Sequence, residues 1–190
     1  MEAVLDNPVL QVIADRASIR AYTREPLSPA QMEALKQAAL AAPTAVNAQT
    51  QRFLFVTNPA LLHEVEQAVL QKILASGDEA AIARTAARGN KVLYDAPLLV
   101  IVAIDPQNAY TKIDAGIAAQ TLALAAKSMG LDSVIVGMPG MAFSGPEGPA
   151  LKQKLRFPAG LEYGIGVLIG HRAMDKAPHT SPASHILEIS

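Results

Sequence analysis

Seven consecutive apolar residues, Leu98 to Ile104, stand between Pro97 and the pair Asp105-Pro106. A strand with one face in water alternates apolar and polar side chains; this run does not, so both of its faces must be covered. It is too short to cross a bilayer as a helix, and its branched residues favour an extended backbone. The run predicts a central buried strand. A chain of 190 residues, 51% of them hydrophobic, can cover that strand within one domain spanning residues 1–190.

Other elements can be read around it. Pro8 to Arg16 reads as a first helix. Ser28-Pro29-Ala30-Gln31 opens a second, with a hydroxyl cap, proline in the first turn and glutamine in the capping-box position. Arg52 to Thr57 predicts a strand, and Asn58-Pro59 starts a helix running to about Leu74. Gly77 to Lys91 is either another helix or a mobile cover, because its charges leave little room for an apolar stripe. Asp114 to Met129 predicts a buried helix stopped by Gly130, its small residues permitting close helix approach. Val134 to Val136 and Tyr163 to Ile169 are the remaining strands, and Gly137 to Gly148 reads as a loop. The order lacks strict strand-helix alternation, which predicts an α+β sandwich.

Several function classes are excluded. A net charge of −1 and 4% aromatic residues do not make a nucleic-acid surface. With no cysteine there is no disulfide, thiolate metal site or cysteine nucleophile, so redox chemistry here needs a borrowed cofactor. His63, His171, His179 and His185 lack paired metal-ligand spacing, and no metal site is expected. Gly164-Ile165-Gly166 continues into Val167-Leu168-Ile169 as a strand, so it is not a dinucleotide fingerprint. Ser144 lacks the Gly-x-Ser-x-Gly frame of a hydrolase elbow. The first residues carry no basic stretch leading into an apolar one, and no membrane span is apparent; a cytoplasmic location is expected.

Two segments carry candidate chemistry. In Asp15-Arg16-Ala17-Ser18-Ile19-Arg20, an extended backbone turns Arg16, Ser18 and Arg20 to one side. Two guanidinium forks and a hydroxyl suit the oxygens of a phosphate; the same residues also suit a solvated basic turn. Ala42-Pro43-Thr44-Ala45-Val46-Asn47-Ala48-Gln49 follows a helix and sets two side-chain amides near a chain reversal.

Together these segments resemble the nitroreductase family of flavin enzymes, with its Arg-x-Ser-x-Arg stretch after the first helix and its Ala-Pro-Ser-x-x-Asn-x-Gln-Pro-Trp loop after the second. Asp95-Ala96-Pro97 before an apolar run, Asp114-Ala115-Gly116-Ile117-Ala118-Ala119-Gln120 opening a helix, and Met129-Gly130-Leu131 before a strand extend the likeness over nearly the whole chain. Thr44 replaces the family's serine, and Thr50-Gln51 replaces Pro-Trp.

The resemblance implies a nitroreductase-like fold, a mixed and largely antiparallel sheet flanked by helices. It implies that Arg16 and Arg20 address the phosphate and ribityl end of FMN, with Ala17 and Ser18 close by. Pro43 and Thr44 would wall the flavin site, and Asn47 and Gln49 would offer amide hydrogen bonds; asparagine serves turns equally well. Val136-Gly137-Met138 matches a strand-end loop whose backbone amides lie against the flavin ring. Relatives place a basic residue after the last strand, where Arg172 or His179 stands here. The implied activity is hydride transfer from NADH or NADPH to flavin N5, then to a small acceptor such as a nitro compound or quinone, by a ping-pong route with no catalytic side chain identified. Family members are homodimers with FMN between subunits. The alternatives are a passive flavin- or cofactor-binding protein on the same fold and a specialised flavin enzyme for one metabolite.

Overall fold

Polar caps followed by proline start three of the helices. In the computed structural model, which describes residues 7–189, α1 (Pro8–Asp15) is capped by the Asn7 side chain, which accepts from Val9 N and Leu10 N. α2 (Pro29–Ala41) carries the expected reciprocal capping box between Ser28 and Gln31. β1 (Arg52–Val56) precedes α3 (Pro59–Ala75), which Asn58 caps. Then come α4 (Glu79–Ala86), β2 (Leu98–Ile104), α5 (Thr111–Ser128), β3 (Asp132–Val136), α6 (Gly148–Lys154) and β4 (Glu162–Gly170).

The strands form one sheet in the order β1-β2-β4-β3, each neighbour antiparallel to the next. β2 is central, and all seven of its side chains are buried. Because successive side chains leave a strand on opposite faces, the run feeds two cores. Leu99 and Ile101 join Val65 and Val69 of α3 on one face. Leu98 and Val100 join Leu35 and Ala39 of α2 and Ala119 and Leu122 of α5 on the other. Helices therefore cover both faces, the condition that the unbroken apolar run imposes. Burying one such aliphatic side chain is worth about 1.5–3 kcal/mol, so this strand anchors the helices on both faces of the sheet.

Several boundaries differ from the sequence reading. α1 stops at Asp15, because Arg16 turns extended and serves as its C-cap. α5 starts nearly a turn earlier than expected, at Thr111. The segment from Gly77 to Lys91 resolves into α4 followed by turns, with the Asp78 side chain capping the helix. The expected loop after Gly137 holds a 3-10 turn, Met138–Phe143, and the short α6 follows it without a side-chain cap to announce it. The alanines of α5 at 115, 118, 119, 123 and 126 are buried within this chain, whereas Gly116 faces outward.

One irregularity re-aims the Tyr163 side chain. Val102 pairs with Ile165 but Ala103 pairs with Tyr163, so Gly164 is an extra residue on β4. Such a bulge re-aims the flanking side chains. Among the described residues, no helix is long and apolar enough to cross a membrane.

Candidate functional site

The first candidate segment is extended, as its alternation requires. Ala17 and Ile19 point into the core, while Arg16, Ser18 and Arg20 remain half-buried on the other side. The segment runs along the outer edge of β3: Ser18 bridges Ser133 in parallel, and Ile19 N–H donates to the Ser133 carbonyl at 3.1 Å. Four residues along from that bridge, about 13 Å at strand rise, β3 ends at Val136-Gly137. Arg16 and Arg20 form no ion pair among the described residues. Arg20 folds Nη1 back to the Ser18 carbonyl, 3.4 Å away.

Arg172 is brought to the same strip, because Tyr22 bridges Arg172 and Ala173 N–H donates to the Ala21 carbonyl at 2.9 Å. Its guanidinium is already engaged by acids, however: Nε lies 3.8 Å from Asp132 and Nη2 lies 3.7 Å from Asp175. Among the described residues, Arg16 and Arg20 are thus the cations of this strip without an acid partner. His179 lies in the exposed C-terminal tail.

Gly137 adds a neutral donor on the same edge. Its N–H has no backbone acceptor among the described residues, and a Cβ built on it would meet nothing within 4 Å. The strip therefore offers two guanidinium groups, a hydroxyl and, farther along, an open-sided amide.

The second segment lies elsewhere. Pro43 is exposed and Thr44 half-buried; Val46, Asn47 and Gln49 all take positive φ, at 48°, 54° and 49°. For a β-branched residue such as Val46 that conformation costs free energy and must be held by its surroundings. Buried Asp114, in the first turn of α5, holds it by accepting the Ala45 N–H at Oδ1, 3.0 Å away. Thr44 Oγ1 accepts the Gln49 N–H at 3.1 Å, and Gln49 Nε2 donates to Asn47 Oδ1 at 2.8 Å. Arg52 donates to the carbonyls of Gln49 and Gln51 at 3.1 and 2.8 Å. The residues that depart from the resemblance behave differently from each other: Thr50 accepts from Asn108 at 3.4 Å, while Gln51 Oε1 is buried without a partner.

The two segments do not converge within one chain. The amide loop leads into β1 and hangs from the N-terminus of α5, whereas the arginine strip follows β3 near the C-terminus of α5. Those edges are three strand spacings apart, about 14 Å, and the ends of the 18-residue α5 are separated by about 26 Å.

Sequence pattern marked Asp114 only as a helix opener and Tyr163 only as a strand residue. A carboxylate interrupting the alanine-rich face of α5 is the signal that could have singled out Asp114. For Tyr163, whose hydroxyl donates to the Val136 carbonyl at 2.7 Å, no sequence signal reveals the bulge that aims it.

The nitroreductase family model matches residues 13–171. A nitroreductase with bound FMN from Desulfitobacterium hafniense is 35% identical, with a TM-score of 0.94 over 97% of this chain and 99% of that one. A nitroreductase with bound FMN from Bacteroides fragilis is 27% identical, with a TM-score of 0.86 over 97% and 100%. The NADPH:FMN oxidoreductase from Vibrio harveyi, complexed with NAD+, shares the fold at 24% identity and a TM-score of 0.70, over 97% of this chain and 78% of that one. No curated protein is a significant match. The family match and the near-complete overlap with these structures agree: the chain belongs to the nitroreductase family.

Proposed function

We propose that this chain is a cytoplasmic, FMN-dependent oxidoreductase acting as a homodimer, which takes a hydride from NADH or NADPH and passes two electrons to a small acceptor such as a nitro compound or quinone. The observation that carries this reading is the edge of β3, where Arg16 and Arg20, without an ion pair among the described residues, share one line with the Gly137 N–H, which has no backbone acceptor among them. An anionic tail and a polar ring at opposite ends of one ligand match that line, and the open side of Gly137 leaves room for a flat group. The donor set fits FMN. The bound FMN of the Desulfitobacterium hafniense relative supports the same choice.

When bound, FMN supplies the centre that accepts and releases hydride, so the chain needs no nucleophile of its own. Arg16 and Arg20 hold the phosphate through charge-assisted hydrogen bonds, and the Ser18 hydroxyl adds a neutral donor beside Ala17. Val136 and Gly137 present the amide at the ring, where a preorganised donor stabilises added electron density. Arg172 acts at longer range, because Asp132 and Asp175 already balance its charge.

Pro43, Thr44, Asn47 and Gln49 enter the site from a second subunit. The separation of the two segments within one chain supports this, and so do the aliphatics left in water: Val9 and Ile13 of α1, Ile113 and Ile117 of α5, and Val46 beside the amide loop. A two-fold interface uses one patch on both subunits, so a single surface completes two sites. The Asn47–Gln49 hydrogen bond stabilises the turn and leaves the Asn47 NH2 and the Gln49 carbonyl oxygen to face a ligand.

Steady-state kinetics test the proposal. One pocket used alternately by nicotinamide and acceptor gives parallel double-reciprocal lines when each is varied against the other. Intersecting lines would mean both substrates are bound together, and the shared-pocket reading would fail.

A further inference from the structure

We infer that Tyr163 is a positioning residue that aims the Gly137 N–H at the flavin ring and sets the reduction potential of bound FMN; this inference rests on the flavin reading above. The Tyr163 hydroxyl donates to the Val136 carbonyl at 2.7 Å. That carbonyl and the Gly137 N–H belong to one peptide unit, and the described residues contain no cis peptide. In a trans peptide the two groups point in opposite directions, so fixing the carbonyl toward β4 fixes the N–H toward the free edge of β3. A hydrogen bond accepted by the carbonyl also polarises the unit and strengthens its N–H as a donor.

Three glycines make this contact possible. Side chains two apart on a regular strand share a face, which would put Tyr163 beside Ile165 over α5. The bulge at Gly164 turns Tyr163 to the opposite face, where its ring stacks on Phe143 with centroids 5.6 Å apart. A Cβ at Gly140 would stand 2.7 Å from the ring, and one at Gly166 would stand 2.5 Å from the hydroxyl. Larger residues at either position would push the phenol off the carbonyl. Burial raises the phenol well above its ordinary pKa, so the hydroxyl remains a donor across the working pH range.

Tyr163→Phe keeps the ring and removes the hydroxyl, so it tests the contact directly. Purified wild type and variant are loaded with FMN, and the midpoint potential of the bound flavin is measured together with FMN affinity and the melting temperature of the apo-protein. The expected result is retained folding and a selective loss of affinity for the reduced form. A tenfold loss relative to the oxidised form lowers the potential by about 30 mV for a two-electron couple. Replacing Tyr163 with 3-fluorotyrosine, which keeps the shape and strengthens the donor, should move the potential the other way; it also provides the test should Tyr163→Phe fail to fold. Phe157→Leu disturbs the same cluster one ring away, where Phe157 packs on Phe143, and should leave the potential in place. An unchanged potential in an FMN-loaded Tyr163→Phe, an unchanged potential in the fluorinated protein, or an equal shift in Phe157→Leu overturns the inference alone. Failure of wild type to bind FMN overturns the flavin reading and this inference together.

Discussion

Asp114 Oδ1 accepts the Ala45 N–H at 3.0 Å, tying the first turn of α5 to a loop with three side-chain-bearing residues at positive φ. The carboxylate is buried, and its second oxygen has no partner. A hydrogen bond to a charged group contributes about 1.5–3 kcal/mol. Asp114→Ala should therefore lower unfolding free energy by roughly that amount and weaken FMN binding, because the amide loop loses its anchor. Asp114→Asn keeps an acceptor for Ala45 and should retain most of both. Urea denaturation and FMN titration of the two variants check this; equal losses in both would assign the effect to charge rather than to the anchor.

The arginines should separate by their pairing. Arg16→Ala and Arg20→Ala each remove a charge-assisted phosphate contact worth about 1.5–3 kcal/mol, roughly a 10- to 150-fold loss of FMN affinity. Arg172→Ala should cost less, because Asp132 and Asp175 already occupy its guanidinium. Titrations of the apo-protein with FMN give the order; an Arg172 effect larger than both others would displace the phosphate site toward the C-terminal segment.

Legibility in the sequence followed the range of the interaction. β2 could be read because a strand covered on both faces has only apolar side chains, and α2 because its capping box is written in four adjacent residues. The spacing of Arg16, Ser18 and Arg20 also survived folding, since strand alternation is local. α6 leaves no mark in the sequence because it is one short helix with no capping side chain, and the 3-10 turn before it has no periodic signature. The roles of Asp114 and Tyr163 depend on Ala45 and Val136, residues far away in sequence that only the tertiary fold brings near. The distance between the amide loop and the arginine strip was likewise invisible until the strand order was known.

That distance predicts a dimer. Sedimentation equilibrium should give twice the chain mass, and FMN present at about 100 times its Kd should add roughly 2.7 kcal/mol to stability. Ile113→Glu places a charge on the exposed face of α5, where the isoleucine is 62% exposed in the isolated chain, and should shift the protein toward monomer while lowering FMN affinity. A monomer that retains full FMN affinity would contradict a site shared between subunits.

Asp95 gives a pH-dependent contribution away from the site. Burial alone would raise its pKa, but hydrogen bonds from Lys91 and Arg24 outweigh it and hold the carboxyl below its ordinary value. A carboxyl with a lower pKa in the folded state stabilises the protein above its unfolded pKa of about 3.9, and that stability is lost as pH falls through the folded value. Because Arg24 and Lys91 are exposed, the pairs contribute no more than about 1 kcal/mol. Asp95→Asn should thus be slightly less stable than wild type at pH 7, with the difference shrinking below pH 4 in urea titrations; a difference that grows on acidification would contradict the sign.

The chain is expected to bind FMN and to reduce it with a nicotinamide. Apo-protein is incubated with FMN, freed of unbound flavin and mixed anaerobically with NADH or NADPH while the visible spectrum is recorded. The expected result is a protein-bound flavin spectrum that bleaches with at least one nicotinamide and returns when a quinone or nitroaromatic is added. A bound flavin that neither nicotinamide bleaches would contradict the oxidoreductase and identify a passive flavin-binding protein on the same fold.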